Sequence, residues 1–441
     1  MTYRQGTLAA ALVLALAGGL AACGSAGNGG SSTDQRQVSA TGGKAGKLTV
    51  WVMDGDYSDA TLKAIDSRFT QQTGAKVSIQ VQSWDDITTK VTTALSTANP
   101  PDVLDIGNTQ VAAFAANGGL KDLTSYREDL AQQRTWLAGL VDPATVDGHL
   151  YGVPGFAGAR AVIYNKTMWA QAGVTKAPTT YAELTADLDK VRTAHPAKDF
   201  SPFYYPGQNW YAGIQYVWDA GGAIATKKGS DWQPGLTSAA AQRGLRAFKA
   251  FQNTYSSPAS RTVDALTPDQ TQVLADGKTS AIIATSGFIA AIEKANPKLT
   301  DSDLGTFPFP GTSGQNQPVF LGGSDWGIAA HSKNTELALA WTKIAASPSV
   351  QSTWIAGKEG FIPNSSQGIT AAKAHLTALN KGFFEAALRS DATPASADWA
   401  QIEGDKDINS LFSSIASGSK SPSTAATAFD GAASKVLNSG Q

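Results

Sequence analysis

The chain has 441 residues, 42% of them hydrophobic, which is enough for two or three domains with sizeable cores. Charged residues make up only 16% and the formal net charge is −1, so the chain lacks the electrostatic footprint that holds a nucleic acid or an acidic membrane surface. Cysteine occurs once, which rules out a disulfide within the chain. Tryptophan and tyrosine, at 11 each, are numerous for this length; most are expected in cores, and the remainder are free to form stacking surfaces.

Residues Met1 to Ala22 read as an export signal, with Arg4 as their positive charge and an apolar run from Leu8 to Leu20 that is too short for the ~20 residues of a membrane helix. Leu20-Ala21-Ala22-Cys23-Gly24 resembles the lipobox of bacterial lipoproteins. That resemblance implies removal of 1–22, lipidation of Cys23, and a mature chain anchored on the extracellular face of the cytoplasmic membrane. A plain secretory peptide with an incidental cysteine is the alternative. The stretch 24–46 is rich in Gly, Ser, Ala and Thr without hydrophobic periodicity, and together with Cys23 it reads as a flexible tether over 23–46 with a reach of roughly 25 to 30 Å.

Lys47 to Met53 reads as a short apolar strand, and Asp54-Gly55-Asp56-Tyr57 as turn chemistry after it. Leu62, Ile65 and Phe69 follow at helical spacing, Gly74 stands where a helix stops, and Val77, Ile79 and Val81 alternate as a second strand. This order predicts a parallel sheet flanked by helices, in which ligands sit beyond the carboxyl ends of the strands. Those ends are Asp54 to Tyr57, Ser83-Trp84-Asp85-Asp86, and Gly107-Asn108-Thr109-Gln110 after the Pro101 to Ile106 strand. Caps and turns use the same residue types, so each loop has a structural reading beside the binding one.

From Asp147 to Lys166, DGHLYGVPGFAGARAVIYNK, glycines and Pro154 interrupt an apolar run. The spacing suits either a bent crossing between two lobes or a surface hairpin followed by a strand. Thr180, with Glu183 three residues on, predicts a capping box. Phe203 to Tyr211 gathers aromatics around Pro206 and Gly207 in a loop that is hard to keep wet without a partner. The triplet Gly277-Lys278-Thr279 opens a strand rather than a helix and has no glycine five residues earlier, so it is no phosphate loop.

The wording of these segments, in this order, resembles the family 1 extracellular solute-binding proteins, the sugar-capturing subunits of ABC importers. The resemblance rests on Pro101-Asp102-Val103, on Tyr151-Gly152-Val153-Pro154 followed by Ile163-Tyr164-Asn165-Lys166, and on Pro178 to Leu184. It continues through Gly277 to Phe288, Leu321 to Ile328 and Asp398-Trp399-Ala400-Gln401-Ile402.

The fold so implied is α/β and two-lobed, periplasmic-binding-protein-like, each lobe a mainly parallel sheet flanked by helices, with a ligand cleft at the hinge. Lobe 1 is expected over 47–157 with 326–358, and lobe 2 over 159–324 with 361–441. The resemblance further implies ligand contacts from Asp54, Asp56, Trp84, Asn108 and Thr109 in the first lobe, and from Arg160, Asp325 and Trp326 at the crossings. From the second lobe it implies Asn209, Trp210 and Tyr211, Ser286 and Phe288, and Trp399 as a stacking indole. In the maltose-binding branch a carboxylate stands near the position where this chain has Asn209, which leaves the sugar open. Gly107 to Gln110 and Trp51 to Gly55 look most like the actinobacterial branch that takes up chitobiose-type oligosaccharides.

Histidines 149, 195, 331 and 375 are scattered and no HExxH or CxxC is present, so neither a metal nor another cofactor is expected. Gly322 to Trp326 misses a nucleophile elbow because Trp326 replaces its last glycine. A secreted glycoside hydrolase would need only two carboxylates across a cleft, and Asp54, Asp56, Asp85, Asp86 and Asp325 are available; this is the alternative function. A capture protein accounts for more of the pattern, because sugars offer C–H faces to aromatics and hydroxyl rims to amides and carboxylates. The expected product is a monomeric, non-enzymatic binder of a neutral oligosaccharide whose partners are importer permease subunits and, through its lipid, the membrane.

Overall fold

The computed structural model describes residues 35–39 and 46–439. The export signal and Cys23 lie outside these residues. Nine strands build its two principal sheets: β1 (Lys47–Met53), β2 (Lys76–Gln82), β3 (Val103–Gly107), β4 (Gly152–Gly158), β5 (Arg160–Asn165), β6 (Ala281–Thr285), β7 (Leu304–Phe307), β8 (Gly322–Ile328) and β9 (Ile362–Pro363). The first sheet runs β9-β4-β8-β3-β1-β2 and the second β6-β5-β7.

Local chemistry explains the first elements. Leu48, Val50 and Val52 alternate into the core along β1. The helix Asp59–Thr73 that follows is capped at one end by Ser58, whose side chain accepts from Thr61 N–H, and closed at the other by Gly74 in a left-handed conformation. Its buried stripe is Leu62, Ile65 and Phe69. The capping box of Thr180 and Glu183 starts the helix Tyr181–Ala194, as the spacing predicts.

The α/β, two-lobed architecture stands, whereas the strand directions are mixed. Within the two principal sheets only β1 pairs in parallel, with β2 and β3. Strand β8 is antiparallel to β3 and β4, β9 is antiparallel to β4, and the second sheet is antiparallel throughout. The physical reason lies in the crossing. Strands β4 and β5 are separated by Ala159 alone, so one extended run leaves the first sheet and enters the second, and the strand that returns, β8, must run the opposite way beside it.

Among the described residues, the segment read as a tether is held at Arg36 and Val38. Arg36 N–H donates to the Ser125 carbonyl at 2.6 Å, Val38 N–H donates to Asp129 Oδ2 at 2.8 Å, and the Val38 side chain is buried in the first core. A single aliphatic residue in a polar stretch carries no periodicity, which is why the sequence pattern does not reveal it.

Each sheet has its own core. The first is built on Val50, Val52, Phe69, Trp326 and Trp341; the second gathers Trp169, Phe203, Tyr205, Trp210, Phe251 and Trp399. At the crossing, Gln351 Nε2 donates to the Gly155 carbonyl, Asn364 N–H to Gln351 Oε1 and Asn364 Nδ2 to the Pro154 carbonyl, each at 2.8 Å. Gly323 on β8 packs so tightly on β4 that a Cβ there would lie 2.1 Å from the Phe156 carbonyl oxygen. Gly323→Ala is therefore expected to destabilise the fold by about 1–3 kcal/mol, as overpacking does, measured by chemical denaturation; a loss under about 0.5 kcal/mol would show that β4 and β8 slide freely.

Candidate functional site

Where the first sheet hands over to the second, a cleft of about 540 Å³ opens between them. That size suits a small-molecule site. The loop after β1 brings Asp56, the loop after β2 brings Trp84, and the turn after β3 brings Asn108, Thr109 and Gln110. The opposite wall consists of Arg160 at the start of β5, Tyr211, Thr285 at the end of β6 with Ser286 and Gly287 after it, Phe320 and Glu403. Phe156, Ser324 and Phe361 line the hinge side, with the Phe156 and Phe361 rings stacked at 4.4 Å and 15°.

Of the residues singled out in sequence, Asp56, Trp84, Asn108, Thr109, Arg160, Tyr211 and Ser286 line this cleft. Asp54, Asn209, Trp210, Phe288, Asp325, Trp326 and Trp399 do not, and each has a physical reason. Gly55 at φ 87° turns the chain, leaving Asp54 in solvent while Asp56 faces the cleft. Trp210 begins the helix Trp210–Asp219 with its ring buried against Phe320 and Trp399, so Tyr211, about 100° further round the helix, is the residue that emerges. Asn209 is buried at the start of the same helix. Phe288 lies half-buried against a further core cluster that includes Ile163, Ile282 and Leu304 together with Leu140 and Ala157.

On β8 the register shifts between Ser324 and Asp325. Ser324 lines the cleft, Asp325 turns to pack against Gly152, and Trp326 lies deeper, beneath the Tyr57 ring at 4.9 Å. Trp399 is fully buried, 6.1 Å from Trp210 in an edge-on contact. The stacking indole read at Trp399 is thus a core indole, and one helical turn later Glu403 reaches the cleft from the same helix, Trp399–Gly404. Glu403 could have been found as the residue four beyond Trp399, on the same helix face as the indole expected in the cleft. Phe156, Phe320 and Phe361 carried no such signal, because only the pairing of β4, β8 and β9 brings them together.

The electrostatics differ between the walls. Arg160 stacks its guanidinium 4.3 Å from the centre of the Tyr211 ring. It has no carboxylate partner among the described residues. Burial lowers its pKa to about 10, which leaves it cationic at neutral pH. Burial lifts Glu403 to about 7, opposed by the nearby Trp399 indole N–H, which falls short of a full hydrogen bond.

On the other wall Ser324 Oγ donates to Asp56 Oδ2 at 2.6 Å. Burial raises the Asp56 pKa, while Ser324, Asp105 and Trp84 draw it back. Asn108 uses its amide N–H groups on the Gly139 and Leu321 carbonyls, at 3.1 and 2.9 Å, so only its carbonyl oxygen is free for a ligand. Among the described residues no group of three or more His, Cys, Asp or Glu could hold a metal ion.

A bacterial extracellular solute-binding protein profile matches residues 64–378, and the chain belongs to that family. Its proteins are binders of solutes rather than enzymes. At the level of individual relatives, the chain is 36% identical over 426 residues to the diacetylchitobiose binding protein DasA of Streptomyces coelicolor, covering 95% of each chain. The fold matches the sugar-binding protein MalE of Xanthomonas citri with a TM-score of 0.77 at 19% identity, covering 89% of this chain and 98% of that one. It also matches the GacH receptor of Streptomyces glaucescens with a TM-score of 0.68 at 22% identity, covering 90% and 99%.

Glu403 has a raised folded pKa, so it contributes stability that is present below its ordinary value of 4.5 and lost as pH rises through about 7. Glu403→Gln removes that titration. Relative to the parent, its apo form is expected to gain about 3 kcal/mol on going from pH 4 to pH 8, read from denaturation midpoints at each pH. An offset that does not change with pH would show that folding leaves the Glu403 carboxyl at its ordinary value.

Proposed function

We propose that this protein is the extracellular carbohydrate-binding component of an ABC importer, capturing a neutral oligosaccharide of the diacetylchitobiose type by closure of its two lobes. The observation that carries the reading is the cleft itself. Aromatic faces at Trp84, Tyr211, Phe156, Phe320 and Phe361 stand among single polar groups at Asp56, Asn108, Arg160, Ser286 and Glu403, the combination that stacks on a sugar face and reads its hydroxyl rim. The similarity to DasA, named for diacetylchitobiose binding, supports the ligand class.

Lobe 1 is taken as 47–157 with 326–358 and lobe 2 as 159–324 with 361–441. The reading is supported by the two separate cores and by the crossings at Ala159, β8 and Gly360. Closure buries the ligand, and the permease subunits recognise the closed pair of lobes. The chain works as a monomer and performs no chemistry on its cargo. Anchoring through a lipid on Cys23 keeps it at the outer face of the cytoplasmic membrane. The Leu20 to Cys23 motif supports this reading.

A thermal-shift panel of mono- and oligosaccharides, with product analysis alongside, tests the assignment. At 100 times its dissociation constant a ligand adds about 2.7 kcal/mol, or about 5 to 10 °C in Tm. Diacetylchitobiose is expected to produce the shift and to be recovered intact. Cleavage would favour a glycoside hydrolase working through Asp56 and Glu403, and a shift with peptides alone would overturn the carbohydrate reading.

Trp84 separates recognition from folding. Its side chain is 40% exposed, so Trp84→Ala is expected to leave denaturation within about 0.5 kcal/mol of the parent while weakening sugar binding by about thirtyfold or more. Undiminished affinity by titration calorimetry would remove Trp84 from the site. Cys23→Ser is expected to release the protein into the medium, since stable anchoring takes two lipid signals and none would remain; unchanged retention in the membrane fraction would refute the anchor.

A further inference from the structure

Behind Asp56 lies a second carboxyl group. Asp105 sits in the middle of β3 at 0% exposure, and one backbone donor reaches it, Met53 N–H to Oδ2 at 3.1 Å. Its Oδ1 is buried and has no N–H or O–H donor. Beside it stand the Asp56 carboxyl and the Ser324 hydroxyl, and the single hydroxyl proton of Ser324 is directed to Asp56 Oδ2 at 2.6 Å. Two carboxyl groups in contact are both acceptors unless one keeps a proton, and a buried pair of like charges does not ionise twice.

The surroundings offer no other remedy. Among the described residues no Lys, Arg or His is paired with either group. Beside both groups stands Tyr57 on the same loop as Asp56, which in turn faces Asp325 on β8 and Glu359 on the π-helix Gln351–Glu359, and the neutral Trp84 indole lies beside Asp56; none of these is a cation. Arg160, across the cleft, is engaged with the Tyr211 ring.

We propose that Asp105 is a positioning residue of the ligand site: a carboxylic acid that keeps its proton and donates it as a hydrogen bond to Asp56, so that the pair presents one negative charge and one fixed acceptor to the sugar. This deepens the carbohydrate reading and rests on it for its functional consequence. Burial and then the Asp56 charge hold the Asp105 pKa well above the usual carboxylate range. When pH rises through that value the donor is lost and a second charge appears beside Asp56, so sugar affinity falls on the alkaline side. The sign for folding follows the same rule: a raised folded pKa means stability present in acid and lost as pH rises.

The test uses the full chain and its Asp105→Asn and Asp105→Ala variants, with diacetylchitobiose and maltose as probes. Asparagine keeps an N–H for Asp56 and a carbonyl for Met53 while removing the titration. The apo Tm of Asp105→Asn minus that of the parent is expected to become more positive from pH 4 upward, and this variant binds sugar near the parent's affinity at pH 6 without the alkaline loss. Asp105→Ala removes the donor and is expected to weaken binding by about ten- to a hundredfold, the range for hydrogen bonds to charged groups. A Tm difference, variant minus parent, that stays flat or becomes more negative with pH, or an alanine variant that folds and binds as the parent does, would overturn the proposal. If the parent binds neither sugar, the carbohydrate reading fails, and the ligand-free pH profile of Asp105→Asn still decides where the proton resides.

Discussion

Everything in this molecule depends on the extended run that passes from β4 through Ala159 into β5 with β8 laid antiparallel beside it. A chain that crosses once, returns beside itself and crosses again defines two sheets with a common border, and the cleft is the space above that border. The run is held by buried amides rather than by apolar packing alone: Gln351 and Asn364 satisfy the Gly155 and Pro154 carbonyls, groups that a bent and glycine-rich strand would otherwise leave unpaired. Without a side chain at Gly323, β8 can lie against the β4 backbone at Phe156 and Ala157.

The same border explains why the cleft tolerates unbalanced charges. Arg160 is set at the first position of β5 and Glu403 near the end of a short helix, and both meet water through the open cleft rather than each other. A guanidinium over an aromatic face needs no carboxylate partner to remain charged. Across from it, Asp56 gains its environment from three elements at once, the β1 loop, β3 and β8, so its character as an acceptor is a property of their junction. Polar groups arranged in this way, each held by the scaffold and each with capacity left over, are what a hydroxylated ligand requires.

Much of the first lobe was legible in the sequence because its signals are local. Leu62, Ile65 and Phe69 with Ser58 and Gly74 define a helix whatever surrounds it, and Thr180 with Glu183 does the same. The loops after β1, β2 and β3 were legible for a topological reason, since in a parallel arrangement those ends converge. Asp56, Trp84, Asn108 and Thr109 accordingly reach one cleft. The aromatics of the second lobe were not legible in the same way. Trp210 and Tyr211 are neighbours of similar chemistry, and only the angle at which their helix meets the core buries the first and exposes the second.

The residues alone determined the α/β class and the caps and strands of the first lobe, because periodicity and turn chemistry act over a few residues; the crossing within Asp147 to Lys166 and the choice of a binder over a hydrolase came from the family resemblance. Tertiary structure alone decided the strand directions, the burial of Trp399 in favour of Glu403, the turning away of Asp325, the stacking of Phe156 on Phe361, and the meeting of Asp56 with Asp105. Each of these joins residues far apart in the chain, or depends on which face of an element the core selects, and neither is encoded within reach of a sequence window.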